Sequence, residues 1–187
     1  HPGYPDKDKF GRSSMELTEV QLEKTIVSQI DSLLNIAAEE HIDVQHIKFH
    51  GALYNDAESN PALATQLTSI IQQYYPSKKV VGLAGGTLEA ACKVQSLTFI
   101  AEGFMDRTYL SNGKLTSRTE SGAIIEDQNH NINQAIALAT NQPIICIDNH
   151  TIQLQVDTIC LHSDNPNALS LVKQLRQAFN KEGITIQ

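Results

Sequence analysis

The sequence predicts an α/β protein built from parallel βα units of the kind found in β/α barrels, and three observations carry that expectation. Short apolar runs of strand length, at 44–49, 79–84, 97–101 and 158–161, alternate with longer segments of helical period. Each run stops where titratable, polar or glycine residues begin: Lys48 and His50 at the end of the first, Gly82 to Gly86 at the second, Glu102 to Arg107 after the third, His162 to Asp164 after the fourth. In a parallel β/α barrel such strand ends share one face, where catalytic groups gather. The 187 residues, 41% hydrophobic and 19% charged, suit one domain with a sizeable core, spanning 1–187.

Each element follows from a local signal. His1-Pro2-Gly3-Tyr4-Pro5-Asp6 reads as the exit from a strand whose body precedes the sequence, and a polar loop with Gly11 follows. Thr18 with Gln21 forms a capping box, and Leu22, Ile26, Ile30, Leu33, Leu34 and Ala37 recur at helical spacing, so 18–40 is a long amphipathic helix. His41 and His46 flank the next strand as surface or capping residues. Asn60 before Pro61 starts a helix lined by Leu63, Leu67, Ile70, Ile71 and Tyr74 and ended by Pro76. The strand at 79–84 enters a short helix at 87–94 through Gly82 to Gly86. That turn could cradle a phosphate at a helix start, but it lacks a P-loop lysine and does not fit G-x-G-x-x-G, which favours a tight turn.

Asn112-Gly113 between short alternating runs predicts a β-hairpin over 108–116, with Arg107 at its base and Arg118 beyond its far end. A helix at 129–140 and strands at 144–147 and 151–156 follow. In the last βα unit, Asn165 caps and Pro166 opens a helix whose buried stripe is Leu169, Val172, Leu175 and Phe179; Gly183 stops it, and 184–186 is one more short strand.

Composition narrows the function classes. A formal charge of -7 disfavours attraction to phosphate backbones or anionic membranes, so neither nucleic acid nor membrane is an expected partner. Cys92, Cys146 and Cys160 are odd in number, lack C-x-x-C spacing and sit among apolar neighbours, as reduced thiols of a cytoplasmic protein do. No apolar run has membrane-spanning length.

Three clusters could carry chemistry. Lys48 and His50, two apart on a strand, point to one face, where they could supply positive charge and a proton acceptor; the alternative is a surface-facing pair. Glu102, Asp106 and Arg107 offer two carboxylates and a guanidinium, for proton transfer, metal binding or anion recognition, or an internal salt bridge. His162 near Asp164 could be a base oriented by a carboxylate, or a metal ligand, with helix capping by Asp164 as the competing role. A divalent metal held with His1 and His50 stays open, without an H-E-x-x-H motif to support it. A serine triad has no G-x-S-x-G elbow.

Taken together, His1-Pro2-Gly3-Tyr4-Pro5-Asp6 with Phe10-Gly11-Arg12, His46 to Asn55, Glu102-Gly103-Phe104-Met105-Asp106-Arg107, Gly113 with Arg118, Ser121-Gly122-Ala123 and Asp157 to His162 resemble the LamB/YcsF family over the whole sequence and in family order. The resemblance implies a seven-stranded β/α barrel of the glycoside hydrolase/deacetylase type. It implies ATP-dependent opening of the lactam 5-oxo-L-proline to L-glutamate, with subunits B and C of a 5-oxoprolinase as partners and an ATP site that those partners could share. On that reading Lys48, His50, Glu102, Asp106 and His162 are the catalytic candidates. His1, Asp6, Arg12, Tyr54, Asn55, Arg107, Arg118 and Asp164 are the candidates for binding substrate. The family pattern has proline where Phe49 stands and glycine where Ser163 stands. Its opening Asp-Leu-Asn and Cys-Gly-Phe-His-Ala-Gly-Asp segments do not occur here, so the expectation is a barrel lacking its first strands and inactive alone. The alternative functions are a metal-dependent carbohydrate hydrolase or deacetylase and a noncatalytic binding or assembly subunit.

Overall fold

The computed structural model describes residues 1–162 and 168–186. Its class is α/β, with parallel strand pairs alternating with helices. The chain divides into two compact units, His1–Ile100 and Ala101–Gln187.

In the first unit, α1 (Glu19–Glu39) starts at the expected capping box: the Thr18 hydroxyl accepts from the Gln21 amide, and Gln21 Oε1 accepts from the Thr18 amide at 2.9 Å. Leu22, Ile26, Ile30 and Ala37 are buried. Leu33, expected on that stripe, is instead 48% exposed, because it borders an open cleft of about 480 Å³ between α1 and the segment at 44–47. His41 takes a left-handed conformation (φ 56°) that closes the helix, with the Ile42 amide donating to Ala37 O.

Strand β1 (His46–Lys48) pairs in parallel with β2 (Lys79–Leu83), Ile47 opposite Val80. It is followed at once by α2 (Gly51–Ser59), where the sequence predicts only the exit of the strand. A glycine start and nine-residue length hide its period. Its first turn is fixed by Gly51 at φ +59°, where a Cβ would strike Gly11 O, and by the Ala52 amide donating to that same oxygen at 3.0 Å. The start of α3 (Pro61–Tyr74) is as expected: Asn60 Oδ1 accepts from the Ala62 and Leu63 amides at 3.0 and 3.2 Å. Its end before Pro76 also holds, although Tyr74 faces outward and donates to Glu23 at 2.7 Å.

Between β2 and α4 (Thr87–Val94) lies the glycine turn. Glu58 fills the place that an anion would take: Oε2 accepts from the Thr87 amide at 2.6 Å and the Leu88 amide at 3.4 Å, and Thr87 Oγ1 donates to Glu58 O. A Cβ on Gly86 would run into the Glu58 carboxylate. The buried carboxylate of α2 therefore satisfies the orphan amides of α4, and the tight-turn reading holds.

Strand β3 (Phe99–Phe104) begins in the first unit and continues into the second, where it pairs in parallel with β6 (Thr158–Cys160), Glu102 opposite Thr158 and Phe104 opposite Cys160. The strand thus passes the expected end at Ala101, and Glu102 is a strand residue. Gly103 breaks the apolar run in the sequence yet is required there, since a Cβ would collide with Val156 and Leu138. The hairpin forms through a Tyr109–Leu115 bridge and reciprocal bonds between Leu110 and the 113–114 turn, with Gly113 at φ +83°.

Helix α5 (Gln128–Ala139) starts at Asp127, whose Oδ1 accepts from the His130 amide. β4 (Ile144–Ile145) and β5 (Thr151–Ile152) form a two-residue antiparallel pair. α6 (Ala168–Lys181) differs from expectation in phase: Leu171 and Phe179 are buried with Leu175 packed beside them, whereas Leu169 and Val172 are 72% and 40% exposed. Contact with Met105 and Ala135 selects the i, i+4, i+8 row. Asn165 and Pro166 lie outside the described residues. Residues 184–186 form no strand, because after Gly183 (φ +71°) the Ile184 amide returns to Phe179 O at 2.8 Å and its side chain packs on the same cluster.

Candidate functional site

Each unit presents a histidine just beyond a parallel strand. In the first, β1 delivers Lys48, half-buried with Nζ 5.8 Å from the centre of the Tyr54 ring, and His50 at the N-cap of α2. The His50 amide donates to Pro2 O at 2.9 Å, and its Nε2 lies 3.0 Å from Phe10 O. A carbonyl can only accept, so Nε2 carries the proton and Nδ1 is the basic nitrogen. Phe10 also sets its ring edge-on to His50 at 5.1 Å. Gly3 and Gly11 approach His50 closely: a Cβ on Gly3 would sit 3.3 Å from the His50 Cβ and 3.6 Å from the ring, and one on Gly11 3.4 Å from the ring.

The loop that meets His50 is tied down by its own contacts. Asp6 accepts from the Gly11 amide through its carbonyl and from the Lys9 amide through Oδ1. Gln29 on α1 clasps both backbone groups of Gly3. Tyr4 Oη donates to Asp56 at 2.9 Å, and burial followed by that hydrogen bond pushes the phenol up to about 12. Arg12 is exposed, 5.9 Å from the Phe10 ring; Tyr54 is buried; Asn55 donates to Gly51 O within its helix; His1 is exposed at the α1 cleft.

In the second unit the ends of β3 and β6 bring Asp106 and His162 together across 56 residues. The His162 ring Nδ1 lies 2.8 and 3.1 Å from the two Asp106 oxygens, and the His162 amide points at the same carboxylate at 3.4 Å. A carboxylate accepts from Nδ1–H, which leaves Nε2 as the basic nitrogen of the neutral ring. Phe104 stacks on the imidazole at 5.7 Å and 21°. The Asp106 side chain is 5% exposed and that of His162 26%, so the carboxylate is dry and the imidazole is reachable from solvent. This is the arrangement of an oriented general base.

Glu102 is buried on β3. Arg107, also buried, donates Nε to Ala123 O and Nη2 to Thr116 O, which fastens the hairpin loop. Burial first, and exposed Arg118 second, lower its affinity for a proton. Asp164 lies outside the described residues. The sequence places a candidate orienting carboxylate for His162 next to it in the chain; among the described residues Asp106 makes that contact. Among the described residues no three His, Cys, Asp or Glu side chains gather as a metal site, and no helix is long and apolar enough to cross a membrane.

Four residues that the sequence reading misses shape these sites: Glu58, Asp56, Tyr109 and Gln134. The available signal is polar residues on buried helical rows, such as Asn131 and Gln134 in line with Ala135 and Leu138.

Fold and site thus define an α/β protein with acid–base groups at the carboxyl ends of parallel strands. The pattern of the LamB/YcsF family matches residues 1–187, and the chain belongs to that family. It is similar to a protein of Limosilactobacillus fermentum that bears the name of the 5-oxoprolinase A-subunit, 36% identical over 187 residues, covering all of this chain and 74% of that one. A protein of the same name in Neisseria meningitidis is 33% identical over 186 residues, covering all of this chain and 76% of its own length. Among solved structures, a lactam utilization protein from Thermus thermophilus superposes with a TM-score of 0.91 at 28% identity, covering 100% of this chain and 74% of that chain.

Proposed function

We propose that this chain is part of a cytoplasmic, ATP-dependent 5-oxoprolinase that opens 5-oxo-L-proline to L-glutamate together with subunits B and C. The observation that carries the chemistry is the 2.8 Å contact between His162 Nδ1 and Asp106 in a family whose similar members bear the 5-oxoprolinase name. In this reading Nε2 of His162 takes a proton from water as the water oxygen bonds to the lactam carbonyl carbon. The imidazolium that forms is balanced by Asp106. Collapse breaks the ring C–N bond, and the nitrogen leaves with the proton returned by His162, giving the γ-carboxylate and the free amine of glutamate.

Lys48, His50 and Arg12, on the first unit, are proposed to bind an anionic group within that unit. The glycine turn does not fit a nucleotide phosphate, since Glu58 already fills its helix start. ATP dependence is proposed for the complex as a whole, and no step of this chain is routed through the nucleotide. A seven-stranded barrel of the glycoside hydrolase/deacetylase type is the architecture proposed for the family fold.

Glutamate release from 5-oxoproline, measured with subunits B and C present and with ATP added or withheld, tests the proposal. ATP-dependent release supports it; an assembled complex that yields no glutamate overturns it.

A further inference from the structure

The turn that carries Asp106 is held by side chains as well as by backbone. Gln134 on α5 is buried, and its Nε2 lies 2.8 Å from Phe104 O and 2.8 Å from Arg107 O, with Met105 O at 3.5 Å. An amide nitrogen has two hydrogens, so the two short contacts exhaust it, and the chain from 104 to 107 curls around one atom. The Phe104 amide donates to Tyr109 Oη at 2.7 Å, in a position where Tyr109 is fully buried. The Met105 amide goes to Cys160 O, and Asp106 O receives the Ile125 amide. The segment fixed in this way supplies two groups that touch the His162 ring, the Asp106 carboxylate and the Phe104 face.

We propose that Gln134, seconded by Tyr109, is a positioning residue for the His162–Asp106 pair: it holds the 104–107 turn in the one curl that sets the carboxylate against Nδ1. Without its amide, the carbonyls of Phe104 and Arg107 each lose one donor, and the tie that joins the two ends of the turn is gone. The inference deepens the proposed function and rests on His162 acting as its base.

The test is the tautomer of His162, read by ¹⁵N NMR of the purified protein and assigned by the loss of its signals in His162→Gln. The unaltered protein shows the Nδ1–H form. Gln134→Met, similar in volume but without donors, raises the Nε2–H share. In the assembled enzyme it lowers kcat by about 10- to 100-fold with KM within about twofold. Ile144→Val, a core change in the same unit outside the cluster that holds Met105, leaves the tautomer unaltered. If Gln134→Met does not fold, Tyr109→Phe puts the same question, with the same shift expected and a loss of about three- to tenfold in kcat. An unaltered tautomer in the folded variant, or an equal shift in Ile144→Val, overturns the positioning role. An Nε2–H form in the unaltered protein instead overturns the histidine–carboxylate reading itself.

Discussion

The two units hold their histidines in opposite ways. His50 gives its ring proton to a backbone carbonyl at 3.0 Å, and His162 gives its proton to a buried carboxylate at 2.8 Å. A carbonyl orients a ring but carries only a partial charge. A carboxylate orients it and also balances the charge that the ring gains when it takes a proton. Two histidines in similar places beyond parallel strands therefore differ in chemistry: a proton taken up by His162 is balanced by a neighbouring carboxylate, and one taken up by His50 meets a carbonyl dipole.

Replacing each histidine in turn gives the widest expected contrast. His162→Gln is expected to lower ATP-dependent glutamate release by about 10²- to 10⁴-fold, the usual contribution of a general base. His50→Gln, which keeps a donor for Phe10 O, is expected to lose about tenfold or less. Equal losses, measured in the assembled enzyme, would remove the distinction between the two.

Asp106→Asn sharpens the same contrast by keeping shape and removing charge. A fall of about 100-fold in kcat is expected, because a carboxamide can still meet Nδ1 but cannot balance an imidazolium. A variant with full turnover would show that orientation alone suffices, and His162 would then resemble His50.

Smaller effects should stay within the unit that is altered. Gly86→Ala forces a Cβ against Glu58 and is expected to destabilise the protein by about 1–3 kcal/mol in urea unfolding. The His162 tautomer should not change in the same sample. A tautomer shift would mean that the two units respond as one.

The last expected effect needs no substitution and is alkaline. Cys92 is fully buried, and desolvation, aided by Glu58 and Glu89, pushes its thiol from 9.0 up to about 12. The unfolded chain ionises first, so the stability that this group contributes is present below pH 9 and declines as pH rises from 9 to about 12. Tyr4 adds a similar decline between 10 and about 12. Urea midpoints measured across that range should fall, and iodoacetamide at about pH 8 should modify Cys92 only after unfolding.

Much of the chain can be read residue by residue because the causes are local. Thr18 and Gln21 meet within one turn, Asn60 caps the next two amides, and Asn112-Gly113 turns the hairpin. Such signals need only neighbouring residues and standard backbone geometry. The lysine, histidine and carboxylate candidates at strand ends are equally visible, since an apolar run that stops at titratable groups is a local pattern. α2 is hidden by a glycine start and short length. The phase of α6 escapes the sequence because Leu169, Leu171 and Val172 are equivalent in hydropathy, and Met105 and Ala135 decide which row is covered.

What the sequence determined by itself was the α/β class, most helix starts and the inventory of chemistry at strand ends. Tertiary structure alone decided the partners: Asp106 for His162 across 56 residues, Phe10 O for His50 across 40, Glu58 for the start of α4 across 29, and Gln134 for the turn at 104–107. The reason is physical. A cap or turn is closed by a few dihedral angles, whereas a buried carboxylate or amide takes whichever donors or acceptors the packed core brings within about 3 Å, and no local period in the sequence encodes that distance.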